Sequence, residues 1–97
     1  MKSKTECIEL LRGYFLDNAR YLGVVRMALF GSVVREEQTE DSDIDIAYEG
    51  EPDILLRSRM KHDLEALFGC RVDIIRLRKQ LSGSVFEKNV SKDLIYV

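Results

Sequence analysis

Three aspartates and one Gly-Ser pair are the residues of this sequence whose types and spacing could do chemistry. Gly31-Ser32 is followed, after ten intervening residues, by Asp43-Ile44-Asp45, so the pattern reads G-S-x(10)-D-x-D. Average residue frequencies put a chance match at roughly one per thousand chains of this length. Asp43 and Asp45 alternate with Ile44 and Ile46, and on a strand residues two apart project from one face. Two carboxylates so close repel one another unless a cation lies between them. Oxygen-only donors of this kind suit Mg²⁺, which is typically held by one or two carboxylates plus substrate phosphates. Asp73 repeats the arrangement between Val72 and Ile74. If its strand lies beside that of Asp43 and Asp45, three carboxylates converge on one patch. A two-metal phosphoryl or nucleotidyl transfer needs such a patch, with its ions roughly 3.5–4 Å apart.

Gly31-Ser32 supplies the complementary half. A strand that ends in Gly-Ser and turns into a helix leaves unpaired N–H groups and the positive end of the helix dipole facing outwards, ready for phosphate. Glycine lets the backbone come close, and the serine hydroxyl adds a donor. Arg35 divides evenly between a phosphate contact and a surface salt bridge with its neighbours Glu36 and Glu37. Taken singly, each aspartate reads as the wet face of a strand and Gly-Ser as a turn; the three elements in order favour a metal site. His62, in a charged helical segment, reads as solvated, and Arg76, Arg78 and Lys79 as a solvated strand end. Tyr48 and Tyr96 read as packing residues.

The elements that must position these groups follow from periodicity. Ser3-x-x-Glu6 forms a capping box, after which Ile8, Leu11, Phe15, Ala19 and Leu22 recur at helical spacing up to Gly23. Val24 to Phe30 is a short buried strand, and Asp43 to Tyr48 a strand with one wet and one dry face. Pro52 sits where a helix can begin; Leu56, Met60, Leu64 and Leu67 then form a stripe that Gly69 ends. Arg71 to Leu77 is a third strand. The tail reads as a short helix over Leu81–Asn89 and a final strand over Asp93–Val97. The order α, β, short α, β, α, β, α, β predicts an α/β (α+β) fold: a small mixed sheet backed by helices.

Composition narrows the class. Ninety-seven residues without repeat or linker make one domain spanning 1–97. At that size roughly two-fifths of the unfolded surface stays exposed, so a partner subunit or a homo-oligomer would help. The charged fraction is 33% but the net charge only −2, against nucleic-acid binding through a general basic footprint. Cys7 and Cys70, far apart in sequence and with no secretory signal, read as reduced thiols. No apolar run reaches the roughly 18 residues of a membrane span. A cytoplasmic protein that does not engage membrane is expected.

Gly31-Ser32, Asp43-x-Asp45 and the later strand aspartate Asp73 resemble the DNA polymerase β-type nucleotidyltransferase superfamily. A chain this short resembles, within it, the minimal nucleotidyltransferases (MNT) paired with HEPN-domain partners. The likeness runs from the first helix to the third strand. It implies that Asp43 and Asp45 hold both metals, Mg²⁺ or Mn²⁺, and that Asp73 binds the catalytic one and helps deprotonate the acceptor hydroxyl. It implies that Gly31 and Ser32 hold the β- and γ-phosphates of an NTP, and Arg35 fits an arginine often found three residues after the serine. Glu36 departs from the pattern, which commonly has a small residue, often glycine, there.

By the same resemblance the reaction moves a nucleoside monophosphate, AMP from ATP, onto a hydroxyl and releases pyrophosphate. The chain has no room for an acceptor-binding domain, so a partner presents the acceptor: a tyrosine of a HEPN-type toxin, with this chain as the antitoxin. Two other readings stand beside it. One is a non-catalytic module that neutralises its partner by contact. The other is a small-molecule nucleotidyltransferase whose acceptor site forms between the subunits of a homodimer.

Overall fold

A computed structural model describes residues 2–77 and 94–97 of the chain. Its elements are α1 (Lys4–Leu22), β1 (Val24–Phe30), a single 3-10 turn (Gly31–Val33), β2 (Ile44–Gly50), α2 (Ile54–Phe68), β3 (Val72–Arg76) and β4 (Ile95–Tyr96). Both helices start on a side chain that satisfies the N–H groups their first turn leaves unpaired. At α1 the capping box is complete: Glu6 N–H donates to Ser3 Oγ at 3.1 Å, and Ser3 N–H to Glu6 Oε1 at 3.3 Å. At α2 Asp53, not Pro52, is the cap, its Oδ1 accepting from Leu55 N at 3.0 Å and Leu56 N at 3.2 Å. Pro52 therefore lies just before the helix rather than in its first turn. Gly23 and Gly69 end the two helices, as their positions in the sequence imply. The expected helix over 81–89 lies outside the described residues, and of the final strand Ile95 and Tyr96 pair with β1.

The four strands form one mixed sheet in the order β3-β2-β1-β4. β1 runs antiparallel to β2 and β4, while β2 and β3 are parallel, as two strands joined through a crossover helix can be. Register and the two-residue period then sort the side chains. Met27 and Leu29 of β1, Ile46 and Tyr48 of β2, and Val72 and Ile74 of β3 are buried in one cluster with Cys7 and Leu11 of α1 and Met60, Leu64 and Phe68 of α2. Each such leucine or methionine contributes about 1.5–3 kcal/mol by leaving water. Phe68, rather than the expected Leu67, completes the α2 stripe: residues 60, 64 and 68 face the sheet, and Leu67 is turned to a groove against α1. Tyr14 OH of α1 donates to Asp63 Oδ2 of α2 at 2.9 Å, fixing the two helices on one side of the sheet.

As the outermost strand among those described, β3 has backbone groups that face away from β2. Two of these are taken by α2: Arg57 Nη2 donates to the Ile74 carbonyl at 2.6 Å, and Val72 N–H donates to Glu65 Oε2 at 3.2 Å. The helix thus satisfies part of an edge that would otherwise be open to pairing. It also holds β3, and with it Asp73, in place.

Candidate active site

The face of the sheet turned away from the helices carries the site. Phe30 of β1 is paired with Asp45 of β2, and Asp45 with Asp73 of β3, so the three residues form a row across the sheet. Asp45 and Asp73 are direct neighbours on adjacent strands, at positions 28 residues apart in sequence that only the β2–β3 register brings together. Asp43 stands one residue before β2 begins, where Ile44 N–H already bonds the Arg71 carbonyl at 3.0 Å.

Burial and charge act on this row together. The Asp45 carboxyl is pushed above its ordinary value of 3.8, first by burial, then by the charges of Asp73 and Asp43, while Arg35 partly offsets them. Mutual repulsion is the signal legible in sequence, yet desolvation contributes more. Asp43 also has a partner that was not expected: its Oδ1 is 3.3 Å from Arg71 Nε. Arg71 was read only as the start of a strand, and its pairing needs the parallel β2–β3 register. Among the described residues no three His, Cys, Asp or Glu side chains stand close enough to cage a metal ion. A pair of carboxylates on one face nevertheless fits Mg²⁺, because that ion completes its shell with phosphate oxygens and water.

Gly31 lies directly against Asp45. At φ +80 it has the left-handed conformation that only glycine adopts freely. A Cβ built there would strike Asp45 Oδ2 and come within 3.0 Å of Asp45 Cγ and 3.1 Å of Asp45 Cβ. The missing side chain is what lets the turn and the carboxylate share this space. After Gly31 the chain makes a 3-10 turn, not the helix expected, with Val34 N–H and Arg35 N–H both donating to the Gly31 carbonyl at 3.1 and 3.2 Å. A three-residue turn has little dipole, so the anion-binding capacity of this segment rests on its local N–H groups and the Ser32 hydroxyl. Neither the Ser32 nor the Val33 N–H has an acceptor among the described residues.

The remaining sequence-selected residues separate. Arg35 Nε is 3.1 Å from Glu37 Oε2, realising the salt-bridge reading, and its charge also reaches Asp45. Glu36 takes φ +59, the one non-glycine residue at positive φ among those described. The residue that departs from the expected small-residue pattern thus stands in the conformation that glycine adopts most freely. His62 is exposed, and Arg76 bonds the Gly50 carbonyl at 3.1 Å. Tyr48 is buried in the core, whereas Tyr96 is half-exposed with the Arg26 guanidinium 5.0 Å above its ring. Residues 78 and 79 lie outside the described residues. A cleft of about 380 Å³ adjoins the aspartate pair, lined by Phe30, Asp45, Arg57, Lys61, Asp73, Ile74 and Ile75. Lys61 was not singled out from sequence; it reads there as one more charge on a solvated helix face.

Comparison with known proteins agrees with this geometry. The family model for the nucleotidyltransferase domain matches residues 8–97. Protein adenylyltransferase MntA of Thermococcus cleftensis is 40% identical over 99 residues, covering 100% of this chain and 98% of its own length. A solved chain described as a candidate minimal nucleotidyltransferase superposes with a TM-score of 0.72 at 33% identity, over 97% of this chain and 95% of that one. A chain from the structure of a tri-AMPylated Shewanella oneidensis HEPN toxin in complex with MNT antitoxin matches with a TM-score of 0.58 at 25% identity, over 96% and 66% of the two chains. With the G-S and D-x-D elements on one face of a shared fold, the chain belongs to the nucleotidyltransferase domain family, as an enzyme of its minimal (MNT) branch.

Proposed function

We propose that this protein transfers AMP from ATP to a hydroxyl, a tyrosine, of a HEPN-type toxin, and acts thereby as an antitoxin. The observation that carries the reading is the pairing of Asp45 with Asp73 beside a glycine whose missing side chain leaves room for the carboxylate. The protein acceptor is supported by the relative named a protein adenylyltransferase and by the toxin–antitoxin neighbour, and both favour it over a small-molecule acceptor. Two free cysteines fit a reducing compartment, the cytoplasm. No helix among the described residues is long and apolar enough to cross a membrane.

In this mechanism the turn at Gly31–Val33 holds the β- and γ-phosphates through the Ser32 hydroxyl and the N–H groups of Ser32 and Val33. Asp45 and Asp73, with Asp43 beside them, would hold Mg²⁺ or Mn²⁺, which supplies neutralisation of charge on the phosphates when bound. The acceptor oxygen attacks the α-phosphorus in line, its proton passes to the Asp73 carboxylate, and the bond to pyrophosphate breaks. Positioning of this kind accounts for much of the rate in phosphoryl chemistry. The test is a reaction with labelled ATP, the purified protein and a co-purified HEPN partner. Label should appear on the partner, and Asp43→Asn with Asp45→Asn should abolish it while the complex still forms. Equal labelling by the double variant would refute the assignment, and fast labelling of small hydroxyl compounds by the protein alone would replace the acceptor class.

A further inference from the structure

The geometry points to the cleft between α2 and the outer edge of β3 as the port through which the acceptor enters, with Lys61 as a residue that contacts it. The inference rests on the phosphate and carboxylate assignments above and adds where the second substrate lies. In-line transfer places the attacking oxygen and the leaving pyrophosphate on opposite sides of the phosphorus. Gly31 abuts Asp45 from the β1 side of the row, so a pyrophosphate held by Gly31–Val33 leaves towards β1. The attacking oxygen must then arrive from the β3 side. The cleft runs from Phe30 of β1 past Asp45 and Asp73 and opens on that side, between Ile74 and Ile75 of the edge strand and Arg57 and Lys61 of α2.

Its size and lining fit one protruding side chain of a partner protein. At about 380 Å³ it stands at the low end of ligand pockets, which run from roughly 300 to 1,000 Å³. Arg57 is committed to the Ile74 carbonyl, whereas the Lys61 side chain makes no hydrogen bond or ion pair with any described residue. One helical face carries Ile54, Arg57 and Lys61 at spacings of three and four, and Ile54 is 76% exposed. An apolar residue and an uncommitted cation therefore continue the cleft outwards along α2. A hydroxyl on a flat aromatic ring suits such a surface: the ring rests on Ile75 and the Lys61 stem while its oxygen reaches Asp73. Lys61 then places a positive charge near the oxygen as it loses its proton, which favours the charged form.

The experiment uses the intact pair of protein and HEPN partner with labelled ATP. Lys61→Trp blocks the cleft from an exposed helix position, and Lys61→Arg keeps the charge. The port predicts that Lys61→Trp raises the KM for the partner, or lowers kcat, by at least tenfold. Affinity for a fluorescent ATP analogue should change less than twofold, and Lys61→Arg should retain most activity. Wild-type labelling by Lys61→Trp overturns the port and leaves the aspartate site intact. Equal loss of ATP-analogue binding assigns the cleft to the nucleotide and overturns it as well. If the wild-type pair itself transfers no label, the parent reading falls, and the port with it.

Discussion

Replacing Gly31 by alanine tests the core of the site, because two separate costs can be read from its surroundings. The backbone at φ +80 is left-handed, which costs an L-residue about 1–2 kcal/mol. The new methyl also strikes the Asp45 carboxylate, which must swing away, while the Asp45 Cβ at 3.1 Å needs only a small shift. The carboxylate is thereby displaced on the order of 1 Å. Misplacement on that scale can lower a rate by about 100-fold. For a domain this size each kcal/mol of destabilisation lowers Tm by roughly 4–8 °C. Gly31→Ala should therefore melt lower and transfer AMP to the partner at about a hundredth of the wild-type rate. The assay is differential scanning fluorimetry beside labelled-ATP transfer, repeated in an Asp45→Ala background. There the steric part is relieved, and the stability cost of Gly31→Ala should shrink towards the backbone part alone. An alanine variant with wild-type Tm and wild-type rate would refute the close contact and the reasoning built on it.

Two further outcomes follow from charge and backbone. Asp45→Asn should raise the Tm of the metal-free protein at neutral pH while abolishing transfer. The folded state raises the carboxyl above its ordinary 3.8, so stability is lost as pH rises from that value through the folded one, and the asparagine variant escapes the loss. A melting series against pH should show the two proteins drawing together as pH falls below 3.8, and a constant gap across the series would remove burial and repulsion as the cause. Glu36→Gly should stabilise the protein by about 0.5–1 kcal/mol, or roughly 2–8 °C in Tm, because glycine relieves the left-handed strain at φ +59 but loses more chain entropy on folding. Thermal melting checks this directly, and a lower Tm would mean that Glu36 makes a stabilising contact that outweighs its backbone strain.

Local features were legible from the sequence because their physics is local. The Ser3–Glu6 capping box, the two glycine stops and the alternation that turns Asp43 and Asp45 away from Ile44 and Ile46 each depend on residues within a turn or a strand. The motif G-S-x(10)-D-x-D was legible for the same reason, and it carried the family with it. Other local signals decide less: Pro52 marks where α2 can begin but Asp53 caps it, and Leu67 shares the helical spacing while Phe68 takes the core face. Choosing between adjacent helical residues depends on how α2 is rotated against the sheet, which no short window contains.

What only the tertiary structure decided is which side chains meet. The antiparallel register of β1 with β2 sets the Gly31 turn against Asp45, and the parallel register of β2 with β3 sets Asp73 beside it. The same register carries Arg71 to Asp43. Burial, which raises the Asp45 carboxyl more than its charged neighbours do, exists only once the sheet and its covering elements are assembled. Lys61 acquired a place in the site because α2 packs along the β3 edge, held there by Arg57 and Glu65. A strand's two-residue period fixes which face a carboxylate occupies, but its neighbour across the sheet is set by long-range pairing, and the chemistry of the pair begins there.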